Sequence, residues 1–348
     1  MKIAYILTSL RDTGVTHVVE DIIKMMIQYG HECKVFVFKK VDDVHLPCKV
    51  EYITLFTKIP FDDFDVVHAH CFRADLYCFL HTPIRCKTLF INTIHSYIFQ
   101  DYRNSMGQIK GTIVAFIELV FMLRLDYCVC LSKEAINYYR RFLNKKKLTY
   151  CYNTKSIDYS KQISLKEKQH IESFKKKVEF VCGSICVVSD IKGLDQIIRA
   201  LVLLPNVGYI IIGEGPSFNK LKNLAVQLGV ENRVLFLGFK VDAYRFIPFF
   251  DVFCMPSRSE GFGVSMIEAA AYAKPIVSTN LSIFSEIFSD TESIKFPIDN
   301  IKECADAIIK AYNYSDLGYN AFNKFENKYS PYKFYQKYIQ IYSLQKNV

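Results

Sequence analysis

The 348-residue sequence has no CxxC pair and no Cys/His cluster at zinc-ligand spacing, although it contains 12 cysteines. That spacing argues against a zinc module and a disulfide framework, and Cys128/Cys130 and Cys182/Cys186, set in apolar runs, read as reduced core thiols. Glycine and proline are sparse, 14 and 10 residues, which excludes a collagenous or low-complexity chain. No apolar run approaches the roughly 20 residues that cross a bilayer; the longest, Ile113 to Leu123, is interrupted by Glu118. A signal-peptide core is missing as well, since Ile3 to Leu7 gives way at once to Thr8, Ser9, Arg11 and Asp12, and a cytoplasmic protein is expected. There is no repeat at a solenoid period.

What is present is the composition of a packed globular protein, 51% hydrophobic and 23% charged. At roughly 100–200 residues per domain, the length predicts two domains or one large one. The net charge of +9 lies in the first half: Lys and Arg outnumber Asp and Glu by 27 to 18 over residues 1–177 and balance them at 17 to 17 over 178–348. A basic first domain fits an anionic partner such as phospholipid head groups or a pyrophosphate-linked lipid, and a peripheral contact with anionic membrane is one expectation. Solvated Lys-rich faces around Lys145–Lys147 and Lys175–Lys177 are the other. The lysine clusters lack the interleaved aromatics of a nucleic-acid module, so no nucleic-acid partner is expected. The run Ile113 to Leu123, flanked by Lys110 and Arg124, reads as a core helix, with an interfacial membrane helix as the alternative.

Short β-branched and aromatic runs alternate with helical patterns throughout, the mark of α/β folds with parallel sheets. The first series has strands at Lys2–Leu7, Lys34–Phe38, Val66-Val67, Leu89–Asn92, Tyr127–Leu131 and Leu148–Tyr150. A polar stretch from Asn153 to Lys177 reads as a linker without a strand. The second series has strands at Glu179–Cys182, Tyr209–Ile212, Val234–Leu237, Val252–Met255 and Ile276–Ser278. Two doubly wound, Rossmann-like domains follow, with ligands expected in a central cleft that faces the carboxyl ends of the strands. The domain boundaries are set at 1–165, 166–325 and 326–348, the last a helix expected to cross back to the first domain.

The strongest local signal is Pro256-Ser257-Arg258-Ser259-Glu260-Gly261-Phe262-Gly263-Val264-Ser265, directly after a strand and opening a helix that carries Glu268. Glycines allow close backbone approach, and the helix start offers unpaired N–H groups to a phosphate. Carboxylates beside phosphate are tolerable where they accept hydrogen bonds from hydroxyls, so Glu260 and Glu268 point to a sugar–phosphate–nucleoside.

This Glu-x7-Glu segment, with Gly14, Gly30-His31-Glu32, Asp65 to His70, Thr93-Ile94-His95, Lys192-Gly193-Leu194-Asp195 and Gly213-Glu214-Gly215-Pro216 in order along the chain, resembles the retaining glycosyltransferases of family 4, with the GT-B fold. The resemblance implies a metal-independent hexosyltransferase of the bacterial surface-polysaccharide type. Its donor would be a nucleotide-diphosphate sugar, a UDP-hexose being expected, its acceptor a hydroxyl on a glycan or lipid-linked glycan, and it would need no cofactor. It also implies roles. Glu260 would hold donor-sugar hydroxyls and Glu268 the ribose. The backbone around Phe262, Gly263, Val264 and Ser265 would hold the sugar and diphosphate. Lys192 would neutralise the leaving diphosphate, Gly14 would approach it from the first domain, and His95 would approach sugar and acceptor. His68 and His70 are expected to alternate at a strand end, one facing the core and the other open to the cleft.

One departure stands out. The family's arginine after the glycine is replaced by Ser184 after Gly183, and the interval to Lys192 is about three residues longer, so two expectations follow: Lys192 acts without its usual partner, or Arg258 substitutes on the diphosphate. The same departure motivates an alternative, a non-catalytic nucleotide-sugar-binding subunit; a GT-B epimerase is a further one. Asp63-Phe64-Asp65 has the DxD form of a metal–nucleotide site but precedes its strand and reads as a loop.

Overall fold

The computed structural model describes residues 1–83 and 85–346. Two compact units emerge, Met1–Thr154 with the segment from Pro331 on, and Lys155–Ser330; the boundaries set from sequence were 165/166 and 325/326.

In the first unit seven parallel strands, β1 (Lys2–Leu7), β2 (Glu32–Val37), β3 (Lys49–Tyr52), β4 (Val66–His70), β5 (Leu89–Ile94), β6 (Tyr127–Cys130) and β7 (Leu148–Tyr150), are ordered β3-β2-β1-β4-β5-β6-β7. Helices cover both faces, so the inner strands are continuous apolar runs, not alternating ones. All of β4 is buried. The edge strand β3, Lys-Val-Glu-Tyr, is half exposed, and its charges mask it in the sequence. Asp65 is structural: its Oδ2 accepts the Lys2 N–H at 2.7 Å beside the β1–β4 pairing, while Asp63 closes a short 3-10 turn.

Helix α1 (Gly14–Gln28) is capped by Thr13, whose side chain accepts the Thr16 N–H, and buries Val18, Val19, Ile22, Ile23 and Met26 against the sheet. Helices α2 (Phe72–His81), α3 (Ile98–Met106), α4 (Gln108–Met122) and α5 (Lys133–Tyr139) belong to the same unit. The side of α4 turned inward carries Ala115, Leu119 and Met122, and among them Glu118, 4% exposed with one carboxylate oxygen unpartnered. Burial, opposed by a Tyr102 hydrogen bond, pushes Glu118 up to about 7. Asp75 on α2, bonded by the Asn92 amide at 3.0 Å, is likewise raised by burial and by Glu118.

A raised carboxyl leaves stability at its full value below the unfolded pKa and withdraws it as pH climbs to the folded value, so the cost accumulates between about pH 4.5 and 7 and persists above. Glu118→Gln should therefore melt higher than the parent at pH 8, by about 2–3 kcal/mol in unfolding free energy, and close to it at pH 5. Parallel melting curves at both pH values would refute the burial argument.

The second unit begins with α6 (Leu165–Lys175), held by a capping box between Ser164 and Glu167. Then come β8 (Phe180–Ile185), α7 (Leu194–Ala200), β9 (Val207–Ile212), α8 (Phe218–Gln227), β10 (Val234–Gly238), β11 (Val252–Met255), α9 (Val264–Ala271), β12 (Ile276–Thr279), α10 (Ser282–Ile287), β13 (Ile294–Phe296), α11 (Ile301–Asn313) and α12 (Leu317–Lys324). The parallel sheet is ordered β10-β9-β8-β11-β12-β13. Gly183 lies inside β8, where a Cβ would overlap the Phe250 ring. The strand runs on through Ser184 to Ile185 before the loop that carries Lys192.

The chain then returns to the first unit as α13 (Pro331–Tyr342), which packs on α1. Tyr335 stacks on Tyr29 at 4.0 Å between ring centres, and Tyr338 and Tyr342 are buried against the sheet, within hydrogen-bond reach of Thr93, His68 and Tyr5.

Candidate functional site

Each sheet reverses direction of growth once, between β1 and β4 in the first unit and between β8 and β11 in the second. Loops leaving the carboxyl ends of such a pair diverge to opposite faces and open a crevice. Lys192, Arg258, Glu260, Phe262 and Gly263 lie on these loops, Gly14, Val264, Ser265 and Glu268 on the helices that follow them, and His95 comes after β5 instead.

In the second unit the loop after β8 carries Lys192 and the loop after β11 carries Glu260. Lys192 Nζ donates to Glu260 Oε2 at 2.5 Å, with the Ser257 hydroxyl at 3.4 Å from the same oxygen. Both partners keep some solvent access, 24% and 14% of their side chains. Burial pushes the neighbouring Cys186 thiol up to about 12, so it stays protonated beside the pair.

Gly263 adopts φ 93° at the N-cap of α9 and is wedged against Phe284 and Met255, a place for glycine alone. It turns the chain so that the first N–H groups of α9, at Val264 and Ser265, project from the helix start. Phe262 is buried with its ring edge-on to Tyr329, the Ser265 hydroxyl reaches Met255 Sδ, and Glu268 lies one turn along α9.

Arg258 stands elsewhere in this arrangement. Its guanidinium forms a bidentate pair with Asp195 at 2.9 Å and bonds Asp299 Oδ1 and the Asp190 carbonyl, while its backbone N–H donates to the Ile191 carbonyl. Asp195 and Asp299 raise its pKa further. Fully buried Gln196 adds a second tie, donating to the Pro256 carbonyl at 2.7 Å and accepting the Asp299 N–H at 2.6 Å. Arg258 and Gln196 thus staple the Lys192 loop to the Glu260 loop. Ser184 is buried, its hydroxyl donating to the Cys254 carbonyl at 2.6 Å and accepting from Tyr209 at 2.7 Å, so it belongs to the sheet core and not to the loop.

In the first unit a cavity of about 320 Å³ lies at the ends of β1 and β4, lined by Thr8, Arg11, Thr13, Lys39, His70 and Cys71 among others. Gly14 stands at the first position of α1, where a Cβ would meet open space. His95, directly after β5, has its Nε2 3.0 Å from His70 Nδ1. Burial lowers His95 to about 4 and His70 well below its ordinary value, so both rings are neutral near pH 7. His68 and His70, two apart on one strand, share a face with rings 4.1 Å apart. The alternation expected from sequence does not separate them. His68 is a core residue bonded to Tyr342 and Thr93, whereas His70 reaches the cavity and His95. Arg11, Lys39 and the Arg258 brace carry no sequence signal that separates them from ordinary surface charge.

Residues 166–326 match the family model described as glycosyl transferases group 1. Over 353 aligned positions the chain is 31% identical to the O-antigen biosynthesis glycosyltransferase WclY of Escherichia coli, covering 99% of this chain and 98% of that one. A 2-deoxystreptamine N-acetyl-D-glucosaminyltransferase of Niallia circulans is 23% identical over 81% of this chain and 77% of its own. Among solved structures, Anabaena HepE in complex with UDP and glucose superposes with a TM-score of 0.80 at 19% identity, covering 99% of this chain and all of that one. Sucrose-phosphate synthase of Thermosynechococcus elongatus gives 0.78 at 15% identity over 98% of both. Two parallel-sheet units of this design and a relative matched end to end lead to one conclusion: the chain belongs to the group 1 glycosyltransferases and has the GT-B fold.

Proposed function

We propose that the protein is a retaining, family 4 type hexosyltransferase that moves a sugar from a UDP-hexose to a hydroxyl of a glycan or lipid-linked acceptor in surface-polysaccharide synthesis, without a metal. The observation that carries this reading is the Lys192–Glu260 pair at the β8/β11 crevice, beside the start of α9. A cation held 2.5 Å from a carboxylate can exchange that partner for a diphosphate, which frees the carboxylate to accept hydrogen bonds from sugar hydroxyls. WclY, an O-antigen enzyme by its name, and HepE, which binds UDP and glucose, support the acceptor and donor classes by similarity.

On this reading the diphosphate rests on the N–H groups of Val264 and Ser265, Lys192 offsets its growing charge, Glu260 fixes the sugar and Glu268 the ribose. The bond from the anomeric carbon to the phosphate oxygen breaks first, leaving an oxocarbenium-like carbon. The acceptor hydroxyl adds to the same face and its proton passes to the released phosphate oxygen. The protein's part is position and charge. In the first unit, neutral His95, hydrogen-bonded to His70, and Gly14 at the start of α1 are the residues proposed to take part by resemblance to the family.

The test is thermal-shift binding of UDP, GDP and ADP in EDTA, then of UDP-hexoses, with Glu268→Ala as control and the anomeric configuration of the product read by NMR. A shift with UDP that Glu268→Ala abolishes, and an axial donor giving an axial product, are expected. Donor binding without transfer to any acceptor would favour the non-catalytic subunit instead, and inversion would refute retention.

A further inference from the structure

We infer that the outer face of α4 is a docking surface for a bilayer containing anionic phospholipid. A helix on the outside of a parallel-sheet domain turns its apolar stripe inward and its polar residues outward. α4 breaks that rule. Ile109, Ile113, Phe116, Ile117, Val120 and Leu123 are 41–78% exposed. At about 100° per residue they fall within a stripe roughly 120° wide. Between Gly111 and Met122 every exposed residue is a large apolar one, while Glu118, the helix's carboxylate, faces inward. Exposed Met106 adjoins the stripe in sequence, and Phe142 joins it through Phe99 and Phe116, with ring centres 5.0 Å apart at each step.

The rim decides the occupant. From residue 98 to 147 the chain carries nine Lys or Arg against four Asp or Glu, and two of those acids, Glu118 and Asp126, are buried. Arg103 bonds Thr112 on α4 itself at 2.8 Å, Lys110 lies on the helix, and Arg124 follows its last turn. Arg140 and Arg141 precede Phe142 and are exposed. An apolar stripe ringed by cations matches a membrane interface, where side chains enter the acyl boundary and cations meet phosphate head groups. A second copy of the chain would set these cations against one another. At about 15 residues the helix lies in the interface and cannot span it. The inference is independent of which sugar or nucleotide the second unit takes.

The chain has no tryptophan, so Phe116→Trp creates a single reporter in the full-length protein. With vesicles of phosphatidylglycerol and phosphatidylcholine its emission should shift to the blue and be quenched by brominated acyl chains. Phosphatidylcholine alone should bind at least tenfold more weakly, and Tyr319→Trp, on the second unit, should not respond. An unresponsive Phe116→Trp, or an equal response from Tyr319→Trp, overturns the proposal. So does a concentration-dependent shift without vesicles accompanied by a dimer mass, which would seat a second copy on the face. In cosedimentation, Ile113→Glu with Ile117→Glu should lose tenfold or more of vesicle binding at an unchanged melting temperature. Undiminished binding by that variant also overturns the proposal. The UDP-induced thermal shift, measured on the same samples, reports the second unit separately, so loss of vesicle binding with the shift intact counts against docking and not against the transferase reading.

Discussion

In a Lys192→Ala variant, turnover should fall by about 10²–10³, the loss seen when one preorganised charge-stabilising donor is removed from a developing oxyanion. The physical reason is specific to the geometry. Lys192 is the cation on Glu260, and removing it leaves that carboxylate, 14% exposed, unneutralised at the place where the proposed mechanism puts the diphosphate charge. The defect should appear in kcat and also in KM, because the repulsion acts on bound donor as well as on the transition state. Stability should barely move, since a partly exposed ion pair contributes only about 0–1 kcal/mol. The Lys192→Ala, Glu260→Gln double variant should be far less than additive, as expected of two groups that touch. Steady-state kinetics with UDP-hexose and stopped-time product assays decide this, and wild-type turnover in Lys192→Ala would remove the lysine from the mechanism.

Gly193→Ala should be comparably damaging for a purely architectural reason. Gly193 sits at φ 63°, and a Cβ there would run into the Pro256 carbonyl and the Gln196 amide. The left-handed conformation costs a non-glycine residue about 1 kcal/mol, and the overlap forces the Lys192 loop off the Glu260 loop. A displacement of about 1 Å is enough to cost some 10²-fold in rate. The expected signature is a kcat loss of that order with a melting temperature lowered by only a few degrees. A Gly193→Ala protein with full activity would show that the two loops need not touch for turnover.

The strands were largely readable because buried parallel strands are uninterrupted apolar runs. Lys2–Leu7 and Val252–Met255 coincide with β1 and β11 residue for residue, as does Leu148–Tyr150 with the half-buried edge strand β7. What escaped was short or polar. β3 is an edge strand with Lys49 and Glu51, and β13, Ile-Lys-Phe, is three residues long. The supposed linker hides α6, whose Ser164-x-x-Glu167 capping box is a legible helix signal overshadowed by its lysines. In the site, the Pro256 to Gly263 loop was legible because glycine spacing and carboxylates are local. The brace was not, since Asp195, Arg258 and Asp299 meet from three separate stretches, and only folding reveals that Arg258 is tied to the Lys192 loop. The same holds for His70 and His95, 25 residues apart in sequence and 3.0 Å apart in space.

The return of α13 to the first unit has a consequence for biosynthesis. The second unit, Lys155–Ser330, is continuous and has every one of its own strands in hand once it has left the ribosome. The first unit is not so fortunate: its strands are translated before the second unit, yet the ring surfaces that close over Tyr5, His68 and Thr93 come from Tyr338 and Tyr342, made only after the whole of the second unit. During synthesis that β1–β4–β5 surface waits open, and ribosome-stalled chains ending near residue 330 should bind hydrophobic dyes or chaperones through the first unit, not through the second, which is made after its strands.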